Sequence, residues 1–178
     1  MRIERIETQR LILRKPTMDD AAAIFSRYAS DPEVTRFLSW PAHTSIEMTR
    51  EFLAWSEAEW QRWSAGPYLI EARDSGELLG STGLHFETPE TAITGYVLAR
   101  DAWGHGYATE ALEAMVTLAR NLHVHRLYAL CHAAHDRSAR VLEKCGFTRE
   151  ALLACHGEFP NLAPGELLDC LRYAIVPS

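Results

Sequence analysis

The pattern of apolar and polar residues in the first third of the chain predicts one strand followed by two helices. Arg10–Arg14 places apolar residues between two arginines, as expected of a first strand. Thr17–Asp20 has the form of a capping box and predicts a helix through Tyr28. The helical segment is expected to end at Asp31-Pro32, because proline disfavours a helical conformation in the residue before it. A second helix is predicted from Ser45 to about Trp63, before Gly66-Pro67.

The remainder of the chain alternates strands with two further helices. Asp74-Ser75-Gly76 is typical of a hairpin turn and separates two predicted strands. The predicted strands are Tyr68–Ala72, Leu78–Phe86, Ala92–Ala99, Leu127–Cys131, Thr148–Cys155 and Leu168–Val176, and the helices are Ala108–Leu122 and Asp136–Lys144. This order predicts one α/β (α+β) domain over residues 1–178, built on a mixed sheet and not on a doubly wound one.

A glycine-rich turn joins the strand Ala92–Ala99 to the helix that follows it. Gly104 and Gly106 allow the backbone to approach a ligand closely, and the free N–H groups at the start of a helix favour an anion such as a diphosphate. The turn lacks the Gly-Lys-Ser/Thr of a Walker loop and the third glycine of a dinucleotide-binding motif. Two glycines alone are equally compatible with a plain loop that caps a helix.

Composition and charge exclude several classes of partner. The chain has 178 residues, 47% of them hydrophobic, and a formal net charge of −6. An acidic balance argues against nucleic acid as the main partner and against an anionic membrane surface. No stretch has the pattern of a signal peptide or a membrane span. The four cysteines are scattered without a CxxC pair, which predicts reduced thiols in a cytoplasmic protein and no metal site.

Several motifs resemble those of the GNAT superfamily of N-acetyltransferases. The segments Gly95–Leu98 and Trp103–Ala111 together resemble its cofactor-binding motif. Ser138–Phe147 resembles its signature Ser-x-x-x-Leu-x-Lys-x-Gly-Phe. Thr8–Arg14, Asp31–Val34 and Asp169-x-x-x-Tyr173 resemble the branch that includes the ribosomal-protein N-terminal acetyltransferases. The resemblance implies a single-domain acyl-CoA N-acyltransferase fold. Its mixed, mostly antiparallel sheet has helices on both faces and a splayed parallel pair, here Ala92–Ala99 and Leu127–Cys131.

The same resemblance implies acetyl-CoA as co-substrate, with no metal. It places the pantetheine arm against the backbone near Val97 and Leu98, and the diphosphate on the glycine turn. His135 stands where many relatives carry an asparagine that bonds to the pantetheine arm, and an imidazole can also donate or accept. A solvent-facing helix cap is the alternative for His135. The implied cofactor-binding residues are Val97, Leu98, Trp103, Gly104, His105, Gly106, Tyr107, Ala108, Thr109, His135 and Ser138.

Ser138 is the predicted catalytic residue. Many relatives use a tyrosine one helical turn later to protonate the leaving thiolate, but Leu142 stands there and cannot donate a proton. The alternative role for Ser138 is that of a small residue which permits close packing of the cofactor. Relatives often carry a glutamate as general base near the position of Ile93. The candidates here are His85, His132 and Glu158, a water chain, or an amine that arrives already neutral.

The acceptor is predicted to be a primary amine, either a protein N-terminus or a small molecule, that attacks directly in a ternary complex without an acyl-enzyme. One wall of its site is expected from Trp40, His43 and the helix after Ser45. The substrate candidates are His85, Glu158, Phe159 and Asn161. Leu142 and Ile93 leave open an alternative, a catalytically inactive CoA-binding or sensing module. A homodimer is compatible with the sequence.

Overall fold

A computed structural model describes residues 2–177, which form one eight-stranded sheet in the order β1-β2-β3-β4-β5-β6-β8-β7. The strands are β1 (Arg5–Glu7), β2 (Leu11–Arg14), β3 (Pro67–Ala72), β4 (Leu78–Thr88), β5 (Thr91–Leu98), β6 (Arg126–His132), β7 (Thr148–Glu158) and β8 (Leu167–Ile175). Among these residues the β5–β6 pair is parallel and every other neighbouring pair is antiparallel. The mixed, mostly antiparallel sheet predicted from the sequence is therefore confirmed.

The last three helices lie close to their predicted positions, the first is irregular, and the short α2 was not predicted. They are α1 (Ala21–Ile24), α2 (Pro32–Thr35), α3 (Ile46–Arg62), α4 (Tyr107–Asn121) and α5 (Asp136–Lys144). A 3₁₀ turn over Met18–Asp20 precedes α1, and a π turn over Phe25–Ala29 follows it. The capping box is present, because Thr17 and Asp20 bond reciprocally. Asp31 has an extended backbone and so breaks the helical conformation, as predicted. Its side chain also caps α2 by accepting from the N–H of Glu33.

The two faces of the sheet carry two hydrophobic clusters. One cluster packs α4 against one face, with Leu112, Met115 and Leu127 fully buried. The other packs α1–α3 against the opposite face around Ile24 and Val97. Helices thus cover both faces, and the turn between β5 and α4 lies at the edge where the parallel strands end. No helix within residues 2–177 is long and apolar enough to cross a membrane.

Candidate active site

The parallel strands β5 and β6 separate soon after they begin. Their pairing covers three positions, Thr91–Ile93 against Arg126–Tyr128, while β5 continues to Leu98 and β6 to His132. From Thr94 onward the two strands diverge, which leaves a wedge-shaped opening in the middle of the sheet. We call this opening the wedge. The splayed strand pair predicted from the sequence is present at the expected strands.

Backbone groups on one side of β5 face the wedge. The N–H of Ala99 donates to the carbonyl of Leu79 on β4, with an N···O distance of 2.7 Å. Because backbone groups alternate in direction along a strand, those of Val97 also face β4 and those of Tyr96 and Leu98 face the wedge. A Cβ atom added at Gly80 would collide with the Val97 carbonyl oxygen, which agrees with this assignment. The wedge-facing carbonyl of Leu98 accepts from Trp103 Nε1 at 2.9 Å.

The glycine turn presents unpaired N–H groups at the start of α4. Gly104 and Gly106 both have φ of 80°, a left-handed conformation that side chains with a Cβ rarely adopt. Gly106 is the N-cap of α4, and within residues 2–177 the N–H groups of 104–109 find no acceptor. These groups and the positive end of the helix form a cradle with the chemistry that a diphosphate requires.

Arg10, which directly precedes β2, braces this cradle. Its guanidinium donates to Glu110 Oε2 at 2.7 Å and to the carbonyl of His105 at 2.8 Å, and it lies 4.8 Å from the centre of the Tyr107 ring. Glu110 also accepts from the Thr8 hydroxyl at 2.6 Å and from the Arg10 N–H at 2.7 Å. Burial acts to raise the pKa of Glu110, but these hydrogen bonds lower it overall, so the carboxylate stays ionised.

Ser138 lies in the first turn of α5, beside the wedge. Its Oγ is 3.1 Å from the hydroxyl of Tyr96, which is on the separated part of β5. The thiol of Cys131, on β6, is buried, and burial raises its pKa to about 11. Leu142 is 2% exposed and belongs to the hydrophobic core, as expected of a residue that takes no part in proton transfer.

Two histidines and two phenylalanines form a ring cluster near the end of β6. Phe37, from the segment after α2, stacks on His135 with centroids 4.5 Å apart and lies 5.2 Å from His132. The His132 ring meets the edge of Phe159 at 4.8 Å, and Phe159 is 5% exposed. Burial lowers the pKa of both histidines, which favours neutral rings at neutral pH. His132 Nδ1 accepts from the N–H of Ala134 at 3.0 Å, so its proton is on Nε2.

Asn161 ties the loop after β7 to the segment between α2 and α3. Its Nδ2 donates to the carbonyls of Thr35 and Trp40, each at 2.8 Å, and its Oδ1 accepts from the N–H of Ala42 at 2.8 Å. The Asn161 amide therefore holds the loop after β7 against the segment between α2 and α3. In the segment before α3, His43 Nδ1 is 2.8 Å from the hydroxyl of Thr49. Burial lowers the pKa of His43.

A histidine–carboxylate pair lies on the α3 side of the sheet. His85 on β4 is opposite Ile93 on β5, the last β5 residue that pairs with β6. His85 Nδ1 is 2.9 Å from Oε2 of Glu59, a residue of α3 that is 8% exposed. The side chain of His85 is 49% exposed, and the Trp55 ring lies 5.8 Å away. A carboxylate that accepts from Nδ1 leaves Nε2 free to accept a proton.

Comparisons with known proteins agree with this arrangement. A family model described as an acetyltransferase (GNAT) domain matches residues 10–148. The uncharacterized N-acetyltransferase YoaA of Bacillus subtilis (strain 168) is 34% identical over 151 residues, which cover 83% of this chain and 85% of YoaA. The uncharacterized N-acetyltransferase p20 of Bacillus licheniformis is 27% identical over 177 residues, which cover 98% of this chain and 97% of p20.

The chain belongs to the GNAT acetyltransferase family.

A solved structure of RimL, a ribosomal L7/L12 alpha-N-protein acetyltransferase in complex with coenzyme A, is also similar to this GNAT acetyltransferase. The two are 25% identical with a TM-score of 0.86, and the match covers 97% of this chain and 98% of that chain. In that structure the coenzyme forms a disulfide with a cysteine of RimL. The family assignment confirms the resemblance drawn from the sequence motifs and makes this chain an N-acetyltransferase.

The GNAT fold brings most of the predicted site residues to the wedge or its rim. The glycine turn, Leu98 and Ser138 lie beside the wedge, whereas the backbone groups of Val97 face β4. The ring of His135 makes no capping bond to α5 and stacks on Phe37 instead. Glu158 is the exposed last residue of β7. Their predicted contacts with cofactor and acceptor stay predictions.

Sequence reasoning missed four residues of this GNAT site. They are Tyr96, Glu59, Arg10 and Phe37, and each contacts a predicted site residue that is distant in the chain. A possible signal existed for Arg10 and Tyr96, since both lie inside the segments that carry the family resemblance. Glu59 and Phe37 have no such signal. No group of three or more His, Cys, Asp or Glu suited to a metal ion occurs within residues 2–177.

Proposed function

We propose that residues 1–178 act as one catalytic domain that transfers an acetyl group from acetyl-CoA to a primary amine by direct attack in a ternary complex. One observation carries the proposal: the cradle of unpaired N–H groups lies at the end of β5, next to a wedge that interrupts the sheet. A diphosphate on the cradle directs the attached pantetheine arm towards that wedge. The wedge-facing backbone groups of Tyr96 and the N–H of Leu98 are available to the arm, whereas the Leu98 carbonyl already accepts from Trp103.

Ser138 supports the departure of the thiolate in this proposal. When the amine attacks the thioester carbonyl, the C–S bond breaks and its electron pair stays on sulfur. A hydroxyl beside the wedge donates a hydrogen bond to that charge, an interaction that strengthens as the charge develops. An acyl-enzyme is not part of the proposal. Burial raises the pKa of Cys131 to about 11, so this thiol near the wedge is a poor nucleophile.

His85 is the best supported general base among the three candidate side chains. It lies level with the point where the strands separate, and Glu59 fixes its tautomer. His132 already uses Nδ1 to accept from a backbone N–H and is enclosed by Phe37 and Phe159. Glu158 is the exposed last residue of β7, and within the described residues it has no hydrogen-bond partner that would orient it. A base at His85 removes the proton that the attacking amine loses and passes it to solvent.

The acceptor is either the α-amino group of a protein or a small-molecule amine. The similarity to RimL, named as a protein α-N-acetyltransferase, supports the first class. The aromatic rings of Phe37, His132 and Phe159 form a compact wall that suits a short peptide end as well as an apolar amine. Both classes therefore belong in the test.

The test is thiol release from acetyl-CoA with a panel of amines that contains N-terminal peptides, free amino acids, polyamines and aromatic amines. Turnover with any member supports the proposal. Tight CoA binding without turnover, across the whole panel, contradicts it and supports an inactive CoA-binding module. His85→Gln is assayed beside wild type on the best amine, with the exposed His125→Gln as control.

We expect His85→Gln to lower kcat/KM by about 100-fold at neutral pH, the size of one lost general base. The deficit shrinks as the pH rises, because the amine then arrives already deprotonated. A deficit that is constant with pH would show that His85 only shapes the site. The control variant is expected to match wild type.

A further inference from the structure

The hydroxyl of Tyr96 is the nearest polar partner of Ser138 from another element. It lies 3.1 Å from Ser138 Oγ and 3.4 Å from the Ser138 carbonyl oxygen. Tyr96 is on the separated part of β5, whereas Ser138 is on α5, so this contact crosses the region where the wedge opens. If the proposed function holds, the leaving sulfur needs a hydrogen-bond donor in this same region.

A serine hydroxyl has one proton, and its direction depends on what its oxygen accepts. If the phenol of Tyr96 donates to Ser138 Oγ, the serine proton is free to point elsewhere. Burial raises the pKa of Tyr96 to about 12, although its contact with Ser138 acts to lower it, so the phenol keeps its proton at neutral pH. A donor that is itself accepting a hydrogen bond is polarised and donates more strongly.

The surroundings of Ser138 offer no equivalent donor on α5. The position one turn later is Leu142, which is 2% exposed in the core. The buried thiol of Cys131 on β6 is only a weak donor. The phenol of Tyr96, on β5, therefore supplies Ser138 with the strong hydrogen-bond donor that α5 lacks at this point.

We propose that Tyr96 is a positioning residue for thiolate departure, acting through Ser138; the inference rests on the proposed acetyl transfer. Tyr96 donates to Ser138 Oγ and directs the serine proton towards the departing sulfur. The C–S bond breaks, the electron pair remains on sulfur, and Ser138 donates a hydrogen bond to it. The proton that completes the thiol comes from solvent, which receives the proton lost by the amine. Neither Ser138 nor Tyr96 changes its protonation state over the cycle.

The test is a double-mutant cycle with Tyr96→Phe, Ser138→Ala and the double variant, all measured with the best amine from the panel. We expect Tyr96→Phe to lower kcat about tenfold, the effect of one hydrogen bond that acts in the transition state. We expect Ser138→Ala to lower kcat about 100-fold. KM for acetyl-CoA and the melting temperature stay close to wild type, because phenylalanine keeps the ring.

The decisive result is the double variant, which should be no slower than Ser138→Ala alone, because Tyr96 acts only through Ser138. Tyr173→Phe is the matched control: its hydroxyl also bonds α5, to Glu143 Oε1 at 2.9 Å, but not to Ser138. Its kcat should stay within about twofold of wild type, since a lost phenol contact with α5 is otherwise worth little.

Three results would overturn the inference: an unchanged kcat for Tyr96→Phe, an unchanged kcat for Ser138→Ala, or a double variant whose loss is the product of the two single losses. An equal loss in Tyr173→Phe would also overturn it, since any loosening of α5 would then suffice. Wild-type turnover in the amine panel is a separate measurement, so the proposed function can stand while this inference fails.

Discussion

Gly106 has a conformation that the cradle needs and that few other residues tolerate. Its φ of 80° starts α4 in the left-handed region, and space around it is open except for Arg10 Nη2, 3.4 Å from where a Cβ would be. A side chain here would meet the bound diphosphate as well as straining the backbone. Two effects, strain and lost ligand affinity, are thus combined at one position and need to be separated.

Gly106→Val is expected to weaken CoA binding by at least tenfold, or ~1.4 kcal/mol. The control is Gly76→Val in the β3–β4 hairpin, where φ is 71° and nothing lies within 4 Å of an added Cβ. The control carries the same kind of backbone strain but should bind CoA normally. Calorimetry that shows unchanged CoA affinity in folded Gly106→Val would remove the diphosphate from this turn.

At the residue scale, the sequence predicted the positions whose chemistry is local and missed those defined by distant partners. Gly104, Gly106 and Ser138 are recognisable within short motifs. The partner of Ser138 is 42 residues away, and that of His85 is 26 residues away. Both contacts depend on how strands align with helices, which no short motif records.

The brace between β2 and α4 positions the cradle as a unit. Arg10, directly before β2, bonds to Glu110 in the first turn of the helix. Arg10 also donates to the carbonyl of His105. The separation of 100 residues in the chain means that the cradle takes its final form only when the N-terminal strand has docked.

Arg10→Leu is expected to raise KM for acetyl-CoA about tenfold, the value of one charge-assisted contact to a binding loop. The same variant should use acetyl-pantetheine as well as wild type does, because that donor lacks the diphosphate. Arg5→Leu is the control, since Arg5 lies on the neighbouring β1 and pairs only with Glu7 at 3.1 Å in the described residues. Equal losses with both donors would show that Arg10 supports the fold and not the cradle.

At the element scale, long periodic segments were predicted well and irregular ones were not. The helix predicted at Ala108–Leu122 runs over Tyr107–Asn121, and the helix predicted at Asp136–Lys144 has the bounds expected. The first helix contains 3₁₀ and π turns that follow from packing against the sheet. β1 was not predicted, because its three residues are mostly exposed and show no clear alternation.

The whole sheet consists of two parts that meet at three positions. β1–β5 form one part and β6, β8 and β7 the other, and Thr91–Ile93 against Arg126–Tyr128 is their only strand pairing within the described residues. Beyond these positions, the wedge-facing amides of β5 have no strand partner. A pantetheine arm that bonds to them would act as a strand inserted between the two parts.

Acetyl-CoA is therefore expected to slow hydrogen exchange at the amides of Tyr96 and Leu98. The amide of Val97 is the internal control, because it faces β4 and is already protected without ligand. Residue-resolved exchange by NMR, with and without saturating acetyl-CoA, measures all three. Unchanged exchange at Tyr96 and Leu98 in the saturated protein would place the arm elsewhere.

In the proposed binding mode the cradle and the wedge contact the cofactor through main-chain atoms, and this has an evolutionary consequence. Every residue except proline supplies the same N–H and C=O groups, so substitutions along β5 and the first turn of α4 leave those groups in place. Mutation is therefore restricted mainly at the two glycines, where conformation is limiting. The other side chains of the same segments can diverge between lineages and adapt to new acceptor amines, while the acetyl donor stays the same.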